Sequence, residues 1–163
     1  MLKGKRIFSQ SLGGNLEDIL KKIRVRPIEK GDLDAITEID YKILGQRRPE
    51  YWRQKIEEGS HPIQSLVAEY NQRVIGFIIG TVSGWEFGVP SSFGWIDTIG
   101  VDPEFQKKGV ATLLFRSIVK SFSKEGVKKI YTLVKWEDWN LMSFFRKMGF
   151  SRGELINLEY LIE

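Results

Sequence analysis

Apolar side chains recur along this chain with two different periods, and these periods predict its secondary structure. In four segments they recur every three or four positions, which is typical of amphipathic helices; the segments are 32–44, 49–58, 110–124 and 138–148. Pro49 suits the first turn of the second helix. A shorter helix is predicted nearer the start of the chain, where Asn15 can cap an apolar stripe within 16–23.

Segments in which apolar side chains alternate with polar ones, or follow one another without interruption, predict strands. These segments are 24–28, 65–70, 74–83, 94–101, 129–135 and 155–162. The turn at Asn71-Gln72 joins the second and third of them into a hairpin. The order from residue 24 is β-α-α-β-β-β-α-β-α-β, with no linker long enough to divide it. It indicates one α/β (α+β) domain at 24–163, preceded by an extension at 1–23.

Composition excludes several kinds of site. The 163 residues include no cysteine and one histidine, which excludes thiolate nucleophiles and both cysteine and multi-histidine metal sites. No apolar run approaches the roughly 20 residues of a membrane span, and the first residues lack a signal-peptide core. We therefore expect a cytoplasmic protein without a metal or a membrane partner. Gly-x-Gly-x-x-Gly and P-loop motifs are absent, which disfavours a dinucleotide fold or an NTPase.

The positive charge of the chain is concentrated in the N-terminal extension. The formal net charge is +4; residues 1–24 hold six basic and two acidic side chains, and the remainder holds 19 of each. The body of the fold is therefore neutral, and a nucleic-acid partner is not expected. The apolar stripe of the extension can pack on the domain or on a second subunit, which leaves a homodimer open.

The segment 99–114 reads as a strand, a sharp turn, two lysines and a helix. The first N–H groups of a helix have no intrahelical partners and lie at the positive end of its dipole, so the site suits a phosphate. Gly109 and Ala111 keep side chains away from an approaching ligand, and Lys107 and Lys108 add positive charge. The alternative is an ordinary strand-to-helix loop with exposed lysines.

Two motifs of the chain resemble those of the GNAT N-acetyltransferase family. Gln106, Gly109 and Ala111 are spaced as in that family's acyl-CoA pyrophosphate loop, Gln/Arg-x-x-Gly-x-Gly/Ala, after Val-Asp-Pro at 101–103. The segment 144–150 is similar to the late helix-to-strand segment that ends Lys-x-Gly-Phe. The order of elements also matches from residue 24 onward. The resemblance implies a GNAT fold, with helices flanking a mixed, mostly antiparallel sheet whose central strands splay apart.

The resemblance also implies a ligand and an activity. Acetyl-CoA would be the co-substrate, its pyrophosphate held by backbone N–H groups of 106–112 and its pantetheine arm by backbone groups of Ile99 and Val101. The implied binding residues are Ile99, Gly100, Val101, Gln106, Lys107, Lys108, Gly109, Val110, Ala111, Thr112 and Asp138. The acetyl group would pass by direct attack to a primary amine of a protein or a small molecule. The alternative is a non-catalytic acyl-CoA-binding regulatory module.

Asp97 is the main candidate for a catalytic base or amine ligand. An alkylammonium with a pKa near 10 must lose a proton before it attacks, and an acid within an apolar strand is locally disfavoured. Alternation places Asp97 on one face with Trp95 and Ile99, the face that the family turns towards the acceptor and thioester. The alternative is a carboxylate that caps backbone or pairs with a lysine. Glu50 and Glu137 are weaker candidates.

The chain departs from the family pattern at positions that handle protons. Phe145 stands where many members carry a tyrosine that can protonate the thiolate, and Leu133 stands where some carry Glu or His. Tyr131 is either a substitute for these groups or a buried packing residue. Asp138 aligns with the family's late asparagine and is either a CoA contact or a helix cap. These departures motivate the non-catalytic alternative.

The acceptor pocket, by resemblance, lies between 45–52 and 85–90. Its candidate residues are Arg47, Arg48, Tyr51 and Trp85. Two arginines beside aromatic rings can clamp a carboxylate, which favours an amino-acid-like or peptide acceptor. The alternative is a solvated basic turn over a hydrophobic anchor.

Overall fold

Five strands form one mixed sheet, and helices cover both of its faces. The computed structural model describes residues 16–57, 64–84 and 91–162. The strands are β1 (Arg24–Pro27), β2 (Leu66–Tyr70), β3 (Arg73–Gly84), β4 (Ser92–Val101) and β5 (Ile130–Thr132). The helices are α1 (16–22), α2 (Leu33–Leu44), α3 (Pro49–Glu57), α4 (Val110–Lys124) and α5 (Trp139–Lys147). The strands lie in chain order, and every neighbouring pair is antiparallel except β4 and β5.

The two faces of the sheet bury two separate apolar clusters. On one face, Leu114 and Ile118 of α4 and Phe145 of α5 pack over the sheet. On the other, Ile36 of α2 and Trp52 of α3 pack around a cluster that includes Phe77. The helices contribute apolar residues of their periodic faces to both clusters, although Ile43 and Leu44 at the end of α2 are exposed. The amphipathic pattern thus accounts for the layering.

Glycines in β3 and β4 leave room for side chains of α4 against the sheet. A Cβ placed on Gly80 would lie 2.5 Å from Cδ1 of Ile118, and one placed on Gly94 would lie 2.8 Å from the ring of Phe122. Real Cβ contacts are not that short, so these two positions are spaces filled by side chains of α4.

Most predicted elements are confirmed, with small changes at their ends. The hairpin turn has positive φ at both Asn71 (49°) and Gln72 (64°), as a tight turn between twisted strands requires. β5 is shorter than the predicted 129–135. α1 is helical over 16–22, but Asn15, its predicted cap, lies outside the described residues.

The predicted strand at 155–162 is wrong. The backbone from 151 to 162 is irregular, and the side chains of 155–162 are exposed. The segment has the alternating pattern of a strand, but a strand also needs a neighbour that supplies its hydrogen bonds. In the part of the chain that the structure describes, β5 is the last strand of the sheet and this segment does not pair with it.

A β-bulge in β4 overturns the prediction that Ile99 shares a face with Asp97. Ile79 pairs with Thr98 while the next residue, Gly80, pairs with Ile96, so Asp97 is an extra residue without a partner opposite it. The extra residue shifts the alternation by one position. Ile99 therefore packs in the cluster under α4, whereas Asp97 turns to α3 on the other face.

Candidate functional site

The predicted phosphate loop is a strand, a short 3₁₀ turn and a long helix in direct succession. β4 ends at Val101, the turn spans Pro103–Phe105, and α4 begins after Gly109, whose φ is 87°. Gly109 supplies no side-chain acceptor to cap α4. Helix geometry leaves the N–H groups of the first turn without intrahelical carbonyl partners. They form the positive end of a 15-residue helix, which suits an anion.

Buried Asp102 fixes where this loop begins. Its Oδ2 accepts hydrogen bonds from Lys42 Nζ of α2 (2.9 Å) and Arg73 Nη2 of β3 (2.7 Å), and its Oδ1 accepts one from the N–H of Glu104 (3.1 Å). Burial alone would raise the pKa of Asp102, but these hydrogen bonds and the charge of Lys42 lower it below its ordinary value. The carboxylate thus joins the end of β4 to both neighbouring elements.

The polar side chains of the loop are largely held within the loop itself. Gln106 donates from Nε2 to the carbonyl of Val101 (3.1 Å), and Lys108 donates from Nζ to the carbonyl of Glu104 (2.8 Å). Lys107 is exposed and has a φ of 58°. Of the two predicted lysines, Lys107 is therefore the one whose charge is presented to solvent, and Lys108 stabilises the turn.

The N-terminal helix α1 lies against the loop. A Cβ placed on Gly109 would be 3.3 Å from Cδ1 of Leu20. Ile23, just after α1, packs on the cluster under α4. The apolar stripe of the N-terminal extension thus packs on the domain. This was one of the two predicted alternatives, the other being a second subunit. Leu20 therefore borders the side of Gly109 from which a ligand was predicted to approach.

The second half of β4 presents an open backbone edge towards β5. β5 pairs with β4 only over Gly94–Ile96, so the two strands separate beyond that point. The N–H of Asp102 bonds to the carbonyl of Ile75 on β3. Because backbone groups alternate between the two edges of a strand, those of Ile99 and Val101 face the β5 side. The structure therefore brings the predicted pantetheine partners to the splayed edge.

Asp97 forms an ion pair that the sequence did not predict in detail. Its Oδ2 lies 3.2 Å from Nζ of Lys55 at the end of α3, and the side chains are 25% and 36% exposed. The predicted alternative, a carboxylate paired with a lysine, therefore describes Asp97 in this structure.

Trp95, on the same face of the sheet as Asp97, packs with Phe93 and Tyr131 in one aromatic group, whose ring centroids are 5.3–6.1 Å apart. Tyr131 is thus half-buried among aromatic rings.

Three residues at which the sequence analysis considered proton transfer or CoA contact differ in their surroundings. Phe145 is 4% exposed and packs between Phe144 and Phe150. Leu133 is 70% exposed. Asp138 caps α5, its Oδ1 accepting from the N–H of Leu141 (2.9 Å). The cap role of Asp138 is therefore present, and Phe145 is a buried ring of the apolar cluster.

The predicted acceptor arginines already have partners within the chain. Arg48 binds Asp40 through Nε (3.0 Å) and Nη2 (2.8 Å) and lies over the ring of Tyr51. The hydrogen bonds to Asp40 raise the pKa of Arg48. Arg47 binds Glu38 on the surface. Both guanidinium groups thus join α2 to the α2–α3 turn. The alternative of a solvated basic turn describes exposed Arg47, whereas Arg48 is held by buried Asp40.

The remaining candidates are peripheral or outside the described residues. Glu50 is exposed and pairs with Arg53 of its own helix, and Glu137 is exposed. Trp85 and the rest of 85–90 lie outside the described residues. Among the described residues there is no group of three metal-ligating side chains, and no helix has the length and apolar character needed to cross a membrane.

Sequence reasoning assigned no role to Lys42 and Arg73, which hold Asp102, nor to Asp40 and Lys55. Asp40 is 3% exposed and accepts hydrogen bonds from both Arg48 and Trp52 Nε1. Its signal was an acid on the apolar face of α2. Lys55 gave no such signal, because its contact with Asp97 joins elements 42 positions apart.

Comparison with known proteins identifies the family of the chain. The model of the Acetyltransferase (GNAT) family matches residues 33–150. An uncharacterized N-acetyltransferase of Methanocaldococcus jannaschii is 22% identical over 160 residues, which are 90% of this chain and 69% of the relative. N-alpha-acetyltransferase 60 of Xenopus tropicalis is 23% identical over 147 residues, which are 80% of this chain and 60% of the relative.

A solved structure gives the same result for the fold. Aminoglycoside N-acetyltransferase AAC(6')-Iy in complex with CoA matches with a TM-score of 0.73 and 17% identity, over 85% of this chain and 94% of that one. At this identity the likeness concerns the fold alone. Because the family model covers more than half of the sequence, the chain belongs to the acetyltransferase (GNAT) family of acyltransferases.

Proposed function

We propose that this protein is an acetyl-CoA-dependent N-acetyltransferase that acetylates a primary amine by direct attack in a ternary complex. The observation that supports this most is the succession of an open β4 edge, a turn anchored by Asp102 and the N-terminus of α4. Together they offer backbone partners for an amide-containing arm and, beyond it, N–H groups for a pyrophosphate. Family membership supports the same ligand.

The proposed ligand contacts are chiefly backbone groups. Residues 106–112 would bind the pyrophosphate, with Lys107 adding a charge that is already exposed. Ile99 and Val101 would bind the pantetheine arm along the β5 side of β4. One carbonyl lone pair of Val101 is taken by Gln106, and the second can accept from the ligand. Acetyl-CoA supplies the activated acetyl thioester, and the chain supplies position and proton transfer.

In this proposal Asp97 receives the proton of the acceptor ammonium. The bulge at Asp97 directs its carboxylate away from α4 and towards α3, and an ammonium group, that of Lys55, already binds there. An acceptor amine would bind the same carboxylate in place of Lys55. Partly exposed ion pairs contribute only about 0–1 kcal/mol, so this exchange is inexpensive. With Phe145 unable to donate a proton, water completes the proton transfer to the leaving group.

The alternative function is a non-catalytic acyl-CoA-binding module, and the buried ring of Phe145 is the observation in its favour. A steady-state assay over a panel of small amines and peptides separates the two. The enzyme is expected to release CoA with at least one amine. Tight acetyl-CoA binding without turnover on any member of the panel would support the module instead.

The binding site is tested by placing a negative charge in the first turn of α4. Substitution of Gly109 is unsuitable, because its φ of 87° strains any other residue and Leu20 lies beside it. Thr112→Glu keeps a helical backbone, and a carboxylate near a helix N-terminus stabilises the helix. It repels a phosphate. We expect affinity for acetyl-CoA, measured by calorimetry, to fall by roughly tenfold or more.

Thr112→Gln is the matched control, since it has the same shape without the charge. It should bind acetyl-CoA within about threefold of the unsubstituted chain. Equal affinity of the Glu and Gln variants would contradict the loop assignment. If the melting temperature of the Glu variant is no lower than that of the unsubstituted chain, its weaker binding does not result from unfolding.

The role of Asp97 is tested by Asp97→Asn. A general base contributes about 10²–10⁴-fold, so kcat should fall by at least roughly a hundredfold while acetyl-CoA affinity is little changed. The acid-side fall of the pH–rate profile should also change. A variant that keeps the pH–rate profile of the unsubstituted enzyme would rule out Asp97 as the base.

A further inference from the structure

An amine of the chain itself lies on the carboxylate that receives the acceptor proton in the proposed reaction. Nζ of Lys55, near the end of α3, is 3.2 Å from Oδ2 of Asp97 on β4. The side chains are 36% and 25% exposed, so the pair is partly open to solvent. The side chain of a lysine ends in a primary amine, the group that the proposed reaction acetylates. Lys55 therefore occupies the place that the proposed function gives to the substrate.

The geometry of β4 also places the proposed thioester beside this pair. β5 pairs with β4 only as far as Ile96, so Asp97 is the first residue of the edge along which the two strands separate. An arm that starts at the N-terminus of α4 and follows the backbone of Val101 and then Ile99 comes next to Asp97. Because β5 closes the gap there, the acyl end of the arm would stop beside the pair of Asp97 and Lys55.

The ion pair does not prevent Lys55 from reacting. Among the described residues, Asp97 is the one side chain to which Lys55 donates a hydrogen bond. A partly exposed ion pair contributes only about 0–1 kcal/mol, and the ammonium of a lysine sits on a flexible four-carbon stem. The amine can therefore leave the carboxylate and enter the gap between the strands at little cost.

We propose that Lys55 is a site of self-acetylation, at which the enzyme transfers the acetyl group of a bound acetyl-CoA to its own α3. This inference rests on the proposed function, because it uses the same base and co-substrate. Asp97 removes a proton from the ammonium, and Nζ then attacks the carbonyl carbon of the thioester. The new C–N bond forms as the C–S bond breaks. Water takes the second proton of the amine and protonates the departing thiolate, so the products are an amide and CoA.

Acetylation of Lys55 changes the charge of the acceptor site. An acetylated lysine is neutral and no longer forms an ion pair, so Asp97 becomes free to bind the ammonium of an external acceptor. Self-acetylation thus prepares the site for its substrate. Because Lys55 is anchored on α3, its amine reaches the thioester less freely than a diffusing acceptor does. We expect self-acetylation to be slower than turnover, so initial rates describe the unmodified enzyme.

Lys42 is a matched comparison for Lys55 within the same chain. Its side chain is 34% exposed, and its Nζ lies 2.9 Å from Oδ2 of Asp102, so the two lysines share both their exposure and the type of their partner. Asp102 is five positions beyond Asp97, next to the proposed phosphate loop and away from the thioester. Chemical acetylation by free acetyl-CoA would modify both lysines, whereas transfer within the site reaches Lys55 alone.

Mass spectrometry of peptides from the full chain, incubated with saturating acetyl-CoA, tests the proposal. Lys55 should be acetylated at least roughly tenfold faster than Lys42, at a rate that does not change over about a tenfold range of protein concentration, because the transfer is intramolecular. Asp97→Asn should slow the acetylation of Lys55 by at least roughly a hundredfold. Circular dichroism checks that this variant is folded.

Lys55→Arg tests the effect of the modification on the acceptor site. Arginine keeps a cation opposite Asp97 and stays charged, so it is not acetylated. Prior incubation with acetyl-CoA, followed by its removal, should lower the KM of the unsubstituted chain for an amine acceptor severalfold. The KM of the Lys55→Arg chain should not change. A KM that is lowered equally in both chains, or in neither, would contradict the preparation of the site.

The outcomes separate this inference from the function on which it rests. An enzyme that releases CoA with an external amine but leaves Lys55 unmodified would overturn the inference and leave the proposed function intact. Equal acetylation of Lys42 and Lys55, a rate that rises with protein concentration, or an unchanged rate in Asp97→Asn would also overturn it. If neither Lys55 nor any amine of the panel is acetylated, the proposed function fails as well.

Discussion

Replacing Asp102 by Asn should destabilise the protein in a way that depends on pH. The substitution keeps the shape of the side chain and leaves Oδ1 to accept from the N–H of Glu104. It removes the charge to which Lys42 and Arg73 donate at 2.9 and 2.7 Å. The end of β4 would then be less firmly attached to α2 and β3, directly before the predicted phosphate loop.

The size of the effect follows from the exposure of the partners. A hydrogen bond to a charged group contributes about 1.5–3 kcal/mol when buried. The carboxylate is 2% exposed, but the Lys42 and Arg73 side chains are 34% and 51% exposed and regain water when the bond is lost. We therefore expect a loss of about 2–3 kcal/mol in the free energy of unfolding, or a melting temperature lower by about 5–10 °C.

The pH dependence gives the sign of the effect. The pKa of Asp102 in the folded state is below its ordinary value. Its stabilising contribution is therefore complete above pH about 4, the ordinary pKa, and is lost as the pH falls through the lowered value. Asn does not titrate, so the difference between the two proteins should be constant from pH 7 to about 5 and should narrow below about 4.

Urea unfolding of both proteins at several pH values measures this difference. Glu50→Gln is the control, because Glu50 is an exposed carboxylate paired with Arg53 and should change stability by less than about 1 kcal/mol. An Asp102→Asn difference below about 0.5 kcal/mol at pH 7 would refute the reasoning. A difference that stays equally large in acid would also refute it.

Two further variants address access to the site. Lys55→Met removes the cation that binds Asp97, so the KM for an amine acceptor should fall severalfold with little change in stability; steady-state kinetics would show an unchanged or higher KM if Lys55 does not compete. Leu20→Ala reduces the contact of α1 with Gly109, and calorimetry should show severalfold tighter acetyl-CoA binding. Leu16→Ala, in the same helix, is the control. Acetyl-CoA binding that is weaker in the Leu20 variant but unchanged in the Leu16 variant would contradict the expectation.

The elements that sequence patterns predicted well are those whose structure depends on near neighbours in the chain. The helix over Val110–Lys124 and the hairpin turn at Asn71-Gln72 follow from local periodicity and turn preference. The cap at Asp138 follows from local hydrogen bonding. The strand–turn–helix of the candidate site could be read for the same reason, since its parts are consecutive.

The features that patterns missed depend on a second strand or helix. The bulge at Asp97 arises from the register of β3 against β4, which a single strand's alternation does not contain. The pairing of Lys55 with Asp97 joins elements that only the tertiary fold brings together. The segment 155–162 has the pattern of a strand and no pairing neighbour in the described chain. An amphipathic pattern thus reports what a segment can form, and its neighbours decide whether it does so.

The glycines beneath α4 have a consequence for how the site is assembled. Ile118 and Phe122 occupy the spaces left at Gly80 and Gly94, so α4 can neither slide nor rotate on the sheet without losing both fits. The position of its N-terminus relative to the end of β4 is therefore set during folding, and a ligand meets a site that is already ordered. Such preorganisation lowers the conformational entropy that binding would otherwise have to remove. A larger residue at Gly80 would lift α4 and displace the first turn of the helix, although that position contacts no proposed ligand group.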